Sequence, residues 1–219
     1  MKTSMTVDLL EKYVVMQLDN YFPDNEYIDK KIFHKCIIVA LDRLEYCFKH
    51  IQKPYYFLND TVVFNHLHSD HYAMFLYLLS NTVWETSKNE IVASKVFLLN
   101  KALHGIDVFY SVKLPEIFFF IHPVGTVLGN AVYNNFLAVY QGCTVGSTQD
   151  NKYPIFGSEI ILYSNSSIIG NCEIGNNVVF AANSNIISSR VKSNSVVLGN
   201  YPSNKILVNK TDVIDRIFR

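Results

Sequence analysis

The chain lacks an excess of charge of either sign and is poor in cysteine. Its 19 Lys plus Arg residues balance 19 Asp plus Glu residues, so the formal net charge is zero at pH 7. Without a basic excess, no long-range field draws the chain to nucleic acid or to an anionic membrane. The four cysteines show neither CxxC spacing nor the density of a secreted disulfide scaffold. We therefore expect reduced thiols, no nucleic-acid partner, and a small neutral or mixed-charge partner.

Long apolar runs are also missing. The longest stretches, 73–79 and 117–121, fall far short of the roughly 18 to 20 residues that a membrane-spanning helix needs. Asp8 and Glu11 interrupt the first 13 residues, where a signal peptide would have an unbroken apolar segment. These features predict a cytoplasmic protein without a membrane span.

The first half of the chain has a helical period. With 219 residues, 49% of them hydrophobic, the chain is long enough to bury a sizeable core. Apolar residues recur every three or four positions over 7–18 and 37–48, and two further helical stretches follow at 72–84 and 90–103. Gly105 is well placed to end the last of these helices.

A six-residue period replaces the helical one after Gly105. Apolar residues occupy one register of the period, and asparagine follows three positions after most of them. Asparagine tolerates a positive φ better than other non-glycine residues, so the pattern predicts a tight corner every six residues. The apolar register is Phe156, Leu162, Ile168, Ile174, Phe180 and Ile186; the asparagines are Asn165, Asn171, Asn177 and Asn183. Small or modest residues follow four positions after the apolar ones, at Ile160, Ser166, Cys172, Val178 and Ser184.

This period is typical of short strands joined by corners into a coil of triangular section, with the apolar register inside. A β-sandwich with polar turns fits less well, because six apolar positions and the asparagines share one register. The segment 147–154 is out of period and is predicted to form a loop on one face of the coil. The predicted fold class is α+β: a helical region over 1–105, a solenoid of four to five coils over 106–204, and a tail over 205–219.

Three runs carry a resemblance to a known family: HPVGTVLG at 122–129, YQGCTVG at 140–146 and IGNCEIG at 169–175. They are similar to serine acetyltransferases, a family of hexapeptide-repeat acyltransferases, and more so to the serine-acetyltransferase-like enzymes associated with bacterial surface-polysaccharide synthesis. The resemblance spans about 70–203 and implies a left-handed parallel β-helix. It also implies a homotrimer, and it leaves open whether trimers pair into hexamers.

The resemblance assigns catalytic roles to two residues. His122 falls on the position of the family's general base, and Asp107 falls on the carboxylate that orients this base. The chemistry agrees, because a hydroxyl is a weak nucleophile at neutral pH and needs a base such as histidine within hydrogen-bond reach. A carboxylate on the other ring nitrogen fixes the tautomer of the imidazole.

Acetyl-CoA is the co-substrate that the resemblance implies, bound in the groove between coils of neighbouring subunits. The residues expected to bind it are Ser147, Ser164 and Ala182, at coil corners, and Lys205, beside the CoA phosphates. The backbone N–H near Ser147 is the expected donor to the oxyanion of the tetrahedral intermediate.

Two departures from the family pattern bear on the acceptor. The position before the catalytic histidine, a carboxylate in enzymes that act on free serine, is Ile121 here. The basic and histidine pair that holds the amino acid's carboxylate is replaced by Lys152 and Tyr153. A zwitterion needs both partners, so a sugar hydroxyl of a surface polysaccharide or its precursor is the first expectation and L-serine is the alternative. Aromatic residues suited to stacking on a sugar are Tyr153, Tyr163, Phe118 and Phe119.

The run 66–71 spells HxHxDH, which is also the metal-binding run of metallo-β-lactamase-type hydrolases. It follows the strand-like stretch 61–64, but only His104 and His122 come later as further histidine ligands. We therefore expect a coincidental match and no metal, with Asp70 or His71 contacting the acceptor instead. From a different class, a catalytically silent hexapeptide-repeat scaffold is a further alternative.

Overall fold

A central buried helix organises the N-terminal part of the computed structural model, which describes residues 1–24 and 26–219. The helices are α1 (Val7–Tyr21), α2 (Lys30–Phe48), α3 (Ser69–Ser87) and α4 (Glu90–His104). A small sheet of order β1-β3-β2 accompanies them, with β1 at Lys2–Thr3, β2 at Phe57–Leu58 and β3 at Thr61–Phe64. The four predicted helices and the predicted strand are confirmed.

Helix α3 is enclosed on all sides, and every residue from Asp70 to Val83 is buried. It packs between α2, α4 and the first strand of the solenoid, as a helix without an exposed face must. Helix α4 ends at Gly105, whose φ of 64° is the left-handed conformation of a glycine C-cap. In the part of the chain that the structure describes, no helix is both long and apolar enough to cross a membrane.

From residue 118 onward the chain winds into a parallel β-helix of about four turns with three faces. The first face holds β4 (Phe118–Ile121), β6 (Leu137–Tyr140), β9 (Ile160–Leu162), β12 (Val178–Phe180) and β15 (Ser195–Leu198). The second face holds β5 (Val127–Leu128), β7 (Thr144–Gly146), β10 (Ser167–Ile169) and β13 (Asn185–Ile187). The third holds β8 (Ile155–Phe156), β11 (Glu173–Ile174) and β14 (Arg190–Val191).

The six-residue period matches the interior of this coil. All six residues of the apolar register, from Phe156 to Ile186, are at most 5% exposed. The five positions that follow four residues later are buried as well. The out-of-period segment 147–154 is the connection between β7 and β8, as predicted.

Three of the four predicted asparagine corners are confirmed. Asn165, Asn177 and Asn183 have φ values of 60°, 56° and 60°. The prediction was wrong at Asn171, because Gly170, with φ 81°, takes the left-handed position one residue earlier. A Cβ at Gly170 would lie 2.6 Å from side-chain atoms of Thr148 and Ser188, so this left-handed corner favours glycine.

The last 15 residues pack back onto the molecule. Strand β16 (Lys205–Val208) pairs antiparallel with β15, and α5 (Val213–Ile217) follows it. Phe218 is buried and bridges to Ile51, and the Arg219 N–H donates to the His50 carbonyl at 2.9 Å. The segment predicted as a tail therefore joins the end of the β-helix to the residues that follow α2.

Asn177 joins the third coil to the C-terminal segment and is our first test of the fold. Its Nδ2 donates to Asn194 and Asp212 at 2.9 and 2.8 Å, and its Oδ1 accepts from Asn209 and the Val213 N–H at 2.9 and 3.1 Å. We expect Asn177→Ala to lower the free energy of unfolding by about 3 kcal/mol, because it leaves buried polar groups unpaired. Urea denaturation followed by circular dichroism measures this change.

Asn165→Ala is the matched control, because Asn165 has the same backbone conformation but is exposed and bonds only to Asn183 through its side chain. We expect a loss of about 1 kcal/mol, the cost of a left-handed alanine. Equal losses in the two variants would show that the corner conformation, and not the buried network, sets the stability.

Candidate active site

His122 occupies an exposed corner at the start of the β-helix. It follows β4 directly, has a φ of 49°, and its side chain is 76% exposed. A left-handed conformation is costly for a residue with a Cβ. The backbone N–H of His122 donates to Asp70 Oδ1 at 3.1 Å, and its carbonyl accepts from the Val124 N–H at 2.7 Å. These contacts hold the backbone of the corner, and the imidazole ring projects at the surface.

Asp70 lies beneath this ring. It sits in the first turn of α3 and is only 1% exposed, and its Oδ1 lies 4.0 Å from His122 Nδ1. The partial positive charge of a helix N-terminus stabilises an ionised carboxylate there. No sequence motif indicated this pairing, since the two residues are 52 positions apart.

The predicted pairing of Asp107 with His122 is not formed in the structure. Asp107 Oδ2 lies 2.6 Å from Lys101 Nζ, at the end of α4. Its backbone pairs with Val127 on the second face of the coil, one corner beyond His122, which explains why the two side chains do not meet. The orienting role of Asp107 stays a prediction.

The register of the first face aligns His122 with three of the four residues predicted to bind acetyl-CoA. Ile121 pairs with Tyr140, and Val139 pairs with Leu162, which in turn pairs with Phe180. The corners that follow these strands therefore stack in one row. At 4.8 Å per strand, the six strands from β4 to β16 span about 24 Å. The row is His122, Gln141, Ser164 and Ala182, and Lys205 pairs with Leu198 near its far end.

The other predicted site residues lie at a different edge. Ser147 follows β7, between the second and third faces, and Lys152 is in the same loop, where its carbonyl accepts from the Thr148 N–H at 3.3 Å. Tyr153 lines an open cleft of about 400 Å³ together with Lys113 and Asn130. Within one chain, the structure does not bring these three residues to the His122 edge.

Two tyrosines lie beside the row of corners that begins at His122. Tyr140 and Tyr163 lie in neighbouring coils next to the row, with ring centroids 4.9 Å apart, and both are partly exposed. Burial raises the pKa of Tyr140, and the nearby Tyr163 and Tyr55 add to this shift. Tyr55 is 46% exposed and stacks on His68 at 5.2 Å. Neither Tyr55 nor Tyr140 was predicted as a site residue, although the strand register places Tyr140 next to the row.

Two of the aromatic residues predicted to stack on an acceptor cannot do so, because they are not accessible. Phe118 and Phe119 are fully buried in β4. The first strand of the face is covered by α3, so both of its faces are enclosed. These residues belong to the core.

The side chains of the HxHxDH run point to different partners. His66 Nδ1 lies 2.8 Å from Ser4 Oγ, Asp70 faces His122, and His71 Nδ1 accepts from the Asn65 N–H at 3.2 Å. Among the described residues, no group of three or more His, Cys, Asp or Glu side chains is arranged to hold a metal ion.

His71 and Asp70 are both 1% exposed, which does not fit the expectation that one of them contacts the acceptor. Both residues are buried because they lie in the first turn of α3, and this helix packs against α2, α4 and β4. Burial, helped by the neighbouring His68, lowers the pKa of His71 to about 3. His71 is therefore neutral at physiological pH.

The chain is similar to serine acetyltransferases. No protein-family model matches it. It is 27% identical over 132 residues to the serine acetyltransferase of Staphylococcus epidermidis, which covers 58% of this chain and 61% of that protein. The structure superposes on serine acetyltransferase from Brucella abortus with a TM-score of 0.62 and 17% identity, covering 90% of this chain and 75% of the other. A serine acetyltransferase in complex with CoA gives a TM-score of 0.59 at 16% identity, with the same coverage.

These likenesses confirm the predicted fold, a helical N-terminal region followed by a left-handed β-helix. The chain spans about three fifths of the length of the curated relatives that it matches.

The buried His71 gives the stability of the protein a defined pH dependence. Its pKa is about 3 in the folded state and about 6.5 in an unfolded chain, so the unfolded state binds more protons between these values. The contribution of His71 to the free energy of unfolding is thus fully present well above pH 6.5 and is lost as the pH falls from there towards 3. We expect His71 to account for a loss of about 2 kcal/mol between pH 7 and pH 5. His71→Phe should remove that loss in urea denaturation at the two pH values.

Phe48→Leu is the control, because the Phe48 ring packs 4.8 Å from His71 and does not titrate. It should lower stability at both pH values equally. Burial also lowers the pKa of His104, to about 4, so part of the slope remains in His71→Phe. An unchanged slope in His71→Phe would contradict the neutral, buried state of His71.

Proposed function

We propose that the protein is an acetyl-CoA-dependent O-acetyltransferase with His122 as the general base. The observation that carries the proposal is the position of His122: an exposed imidazole at one end of a row of coil corners, above a buried carboxylate. The names of the similar proteins support the same reaction class. We also propose a cytoplasmic location, because acetyl-CoA is a cytoplasmic metabolite.

The reaction is a direct transfer. His122 Nε2 removes the proton from the acceptor hydroxyl as the oxygen attacks the thioester carbonyl. The C–O bond forms and a tetrahedral oxyanion develops, for which a backbone N–H is the expected donor. The C–S bond then breaks, and the imidazolium returns its proton to the departing thiolate of CoA. His122 is neutral again at the end of the reaction, and no atom changes its oxidation state.

The row of corners suits a long, extended co-substrate. Ser164 and Ala182 stand two and three coils beyond His122, and Lys205 lies near the far end, about 24 Å away by strand spacing. In this arrangement the thioester lies at His122, the pantetheine arm follows the corners, and the Lys205 ammonium meets phosphate. The contacts along the pantetheine arm use backbone groups or small side chains, so a residue without a polar side chain, such as Ala182, can contribute to binding.

The acceptor proposed first is L-serine, because the proteins that the chain resembles over 132 residues are named serine acetyltransferases. The sugar hydroxyl of a surface polysaccharide or its precursor, the first expectation from the sequence, becomes the second candidate acceptor. A specific feature still favours it: the partly exposed Tyr140 and Tyr163 lie beside the row of corners, and Tyr140 pairs with Ile121, the residue before His122. Aromatic faces stack well on sugar rings.

We also propose a homotrimer. It would bring Ser147, Lys152 and Tyr153, which lie away from His122 within one chain, to the site of a neighbouring subunit. They lie at a second edge of the coil, and in a three-fold assembly the first edge of one copy faces the second edge of the next. The loop 147–154 of one subunit then closes the row of corners of its neighbour, and neither edge forms a complete site by itself.

Acetyl transfer is measured as CoA release with a thiol reagent, with L-serine, amino sugars and nucleotide sugars offered in parallel. We expect release with L-serine, and loss of about 100-fold or more in His122→Ala, because general-base catalysis contributes about 10² to 10⁴-fold. His50→Ala, a surface histidine outside the corner, is the matched control. Release with a sugar alone would reverse the order of acceptors, and full activity in His122→Ala would exclude the mechanism.

Subunit complementation tests the shared site. His122→Ala and a Lys152→Ala/Tyr153→Ala double variant are purified separately, mixed in denaturant and refolded together. In random trimers we expect about a quarter of the wild-type activity to return, because one site in four combines two intact edges. Recovery at the level of the unmixed variants would show that each site lies within one chain.

A further inference from the structure

Asp70 is the carboxylate that the structure brings to the candidate base. We propose that Asp70, rather than Asp107, is the positioning residue that orients the His122 imidazole. The inference rests on the proposed acetyltransferase function and deepens it, because it assigns the second member of the catalytic pair to the helical region of the chain and not to the β-helix.

The contacts of Asp70 converge on His122. Its Oδ1 accepts from the His122 N–H at 3.1 Å and from Ser69 Oγ at 3.4 Å, and it lies 4.0 Å from His122 Nδ1. The carboxylate is 1% exposed, whereas the imidazole above it is 76% exposed. One oxygen therefore holds the backbone of the base, and the same carboxylate faces its ring from the buried side.

Asp107 is engaged elsewhere. Its Oδ2 lies 2.6 Å from Lys101 Nζ, so its charge is compensated by a direct ion pair. Among the ion pairs of the described residues, Asp70 is the only carboxylate within 4.0 Å of His122. The charge that acts on the His122 ring from below is thus that of Asp70.

The chemistry follows from this geometry. A carboxylate beside Nδ1 favours the tautomer that carries its proton on Nδ1, which leaves the Nε2 lone pair free to take the acceptor's proton. The same charge stabilises the imidazolium that forms, and it acts more strongly because it is shielded from water. A small rotation of the exposed ring shortens 4.0 Å to a hydrogen bond, as catalytic contacts often tighten in the substrate complex.

Asp70→Asn isolates the charge, because the asparagine Oδ1 still accepts from the His122 N–H. We expect kcat to fall about 100-fold, since general-base catalysis contributes about 10² to 10⁴-fold, with the KM for acetyl-CoA unchanged. The second readout needs no substrate: two-dimensional ¹H–¹⁵N spectra of the histidine rings. The protein should carry the His122 proton on Nδ1, and Asp70→Asn should move it to Nε2.

Glu90→Gln is the control for charge at a helix start, because Glu90 lies in the first turn of α4, away from the corner. It should change neither kcat nor the His122 ring signals. Asp107→Asn is measured alongside. A ring signal that responds to Asp107→Asn and not to Asp70→Asn overturns the inference.

The two readouts separate this inference from the proposed function. If the protein releases no CoA with any acceptor but Asp70→Asn moves the ring proton, the transfer reaction is excluded and the Asp70–His122 coupling is supported. If the protein is active and Asp70→Asn changes neither kcat nor the ring signals, the function stands and the positioning role is overturned.

Discussion

The structure depends on one constraint: every coil of the β-helix must turn its corners in register with the coil below. Strand pairs are offset by 18 residues between β9 and β12 and by 17 between β12 and β15. Backbone hydrogen bonds between coils then fix each corner above its counterpart, as between the Asn183 N–H and the Ser164 carbonyl. A left-handed residue at nearly every turn follows from this register, which is why asparagine recurs in the sequence and why His122 adopts a positive φ at the first coil.

The helical region completes the coil instead of standing apart from it. Tyr77 of α3 donates to the Val112 carbonyl at 2.8 Å and accepts from the Leu114 N–H at 2.9 Å, and Asn81 donates to the Tyr110 carbonyl. These bonds satisfy the irregular backbone between α4 and β4, which would otherwise be buried without partners. Asp70 lies in the first turn of the same helix. The helix that packs against the first strand of the β-helix therefore also places a carboxylate under the His122 corner.

Local rules predicted most of the fold. The apolar register needed only the period of the coil, and the corners at Asn165, Asn177 and Asn183 needed only the backbone preference of asparagine. Asn171 failed because Gly170, one residue earlier, has an even lower cost at positive φ. The chemistry was harder to predict: Asp107 had the spacing that the family resemblance suggested, but packing assigned it to Lys101. Asp70 reaches His122 only through tertiary structure, and no spacing in the sequence encodes that.

The choice of acceptor follows from how charge is distributed between the two edges. On the His122 edge the nearest carboxylate is buried, and Ile121, paired with Tyr140, fills the position where the resemblance places an acidic residue. For the serine of the proposed reaction, none of the described residues places an exposed carboxylate within 4.0 Å of His122 to pair with the ammonium group. Lys152, the predicted partner of the serine carboxylate, lies on the other edge and in the proposed trimer comes from a neighbouring subunit. If the site is shared between subunits as proposed, acceptor specificity is a property of the interface, and substitutions in the loop 147–154 should change acceptor binding without changing His122.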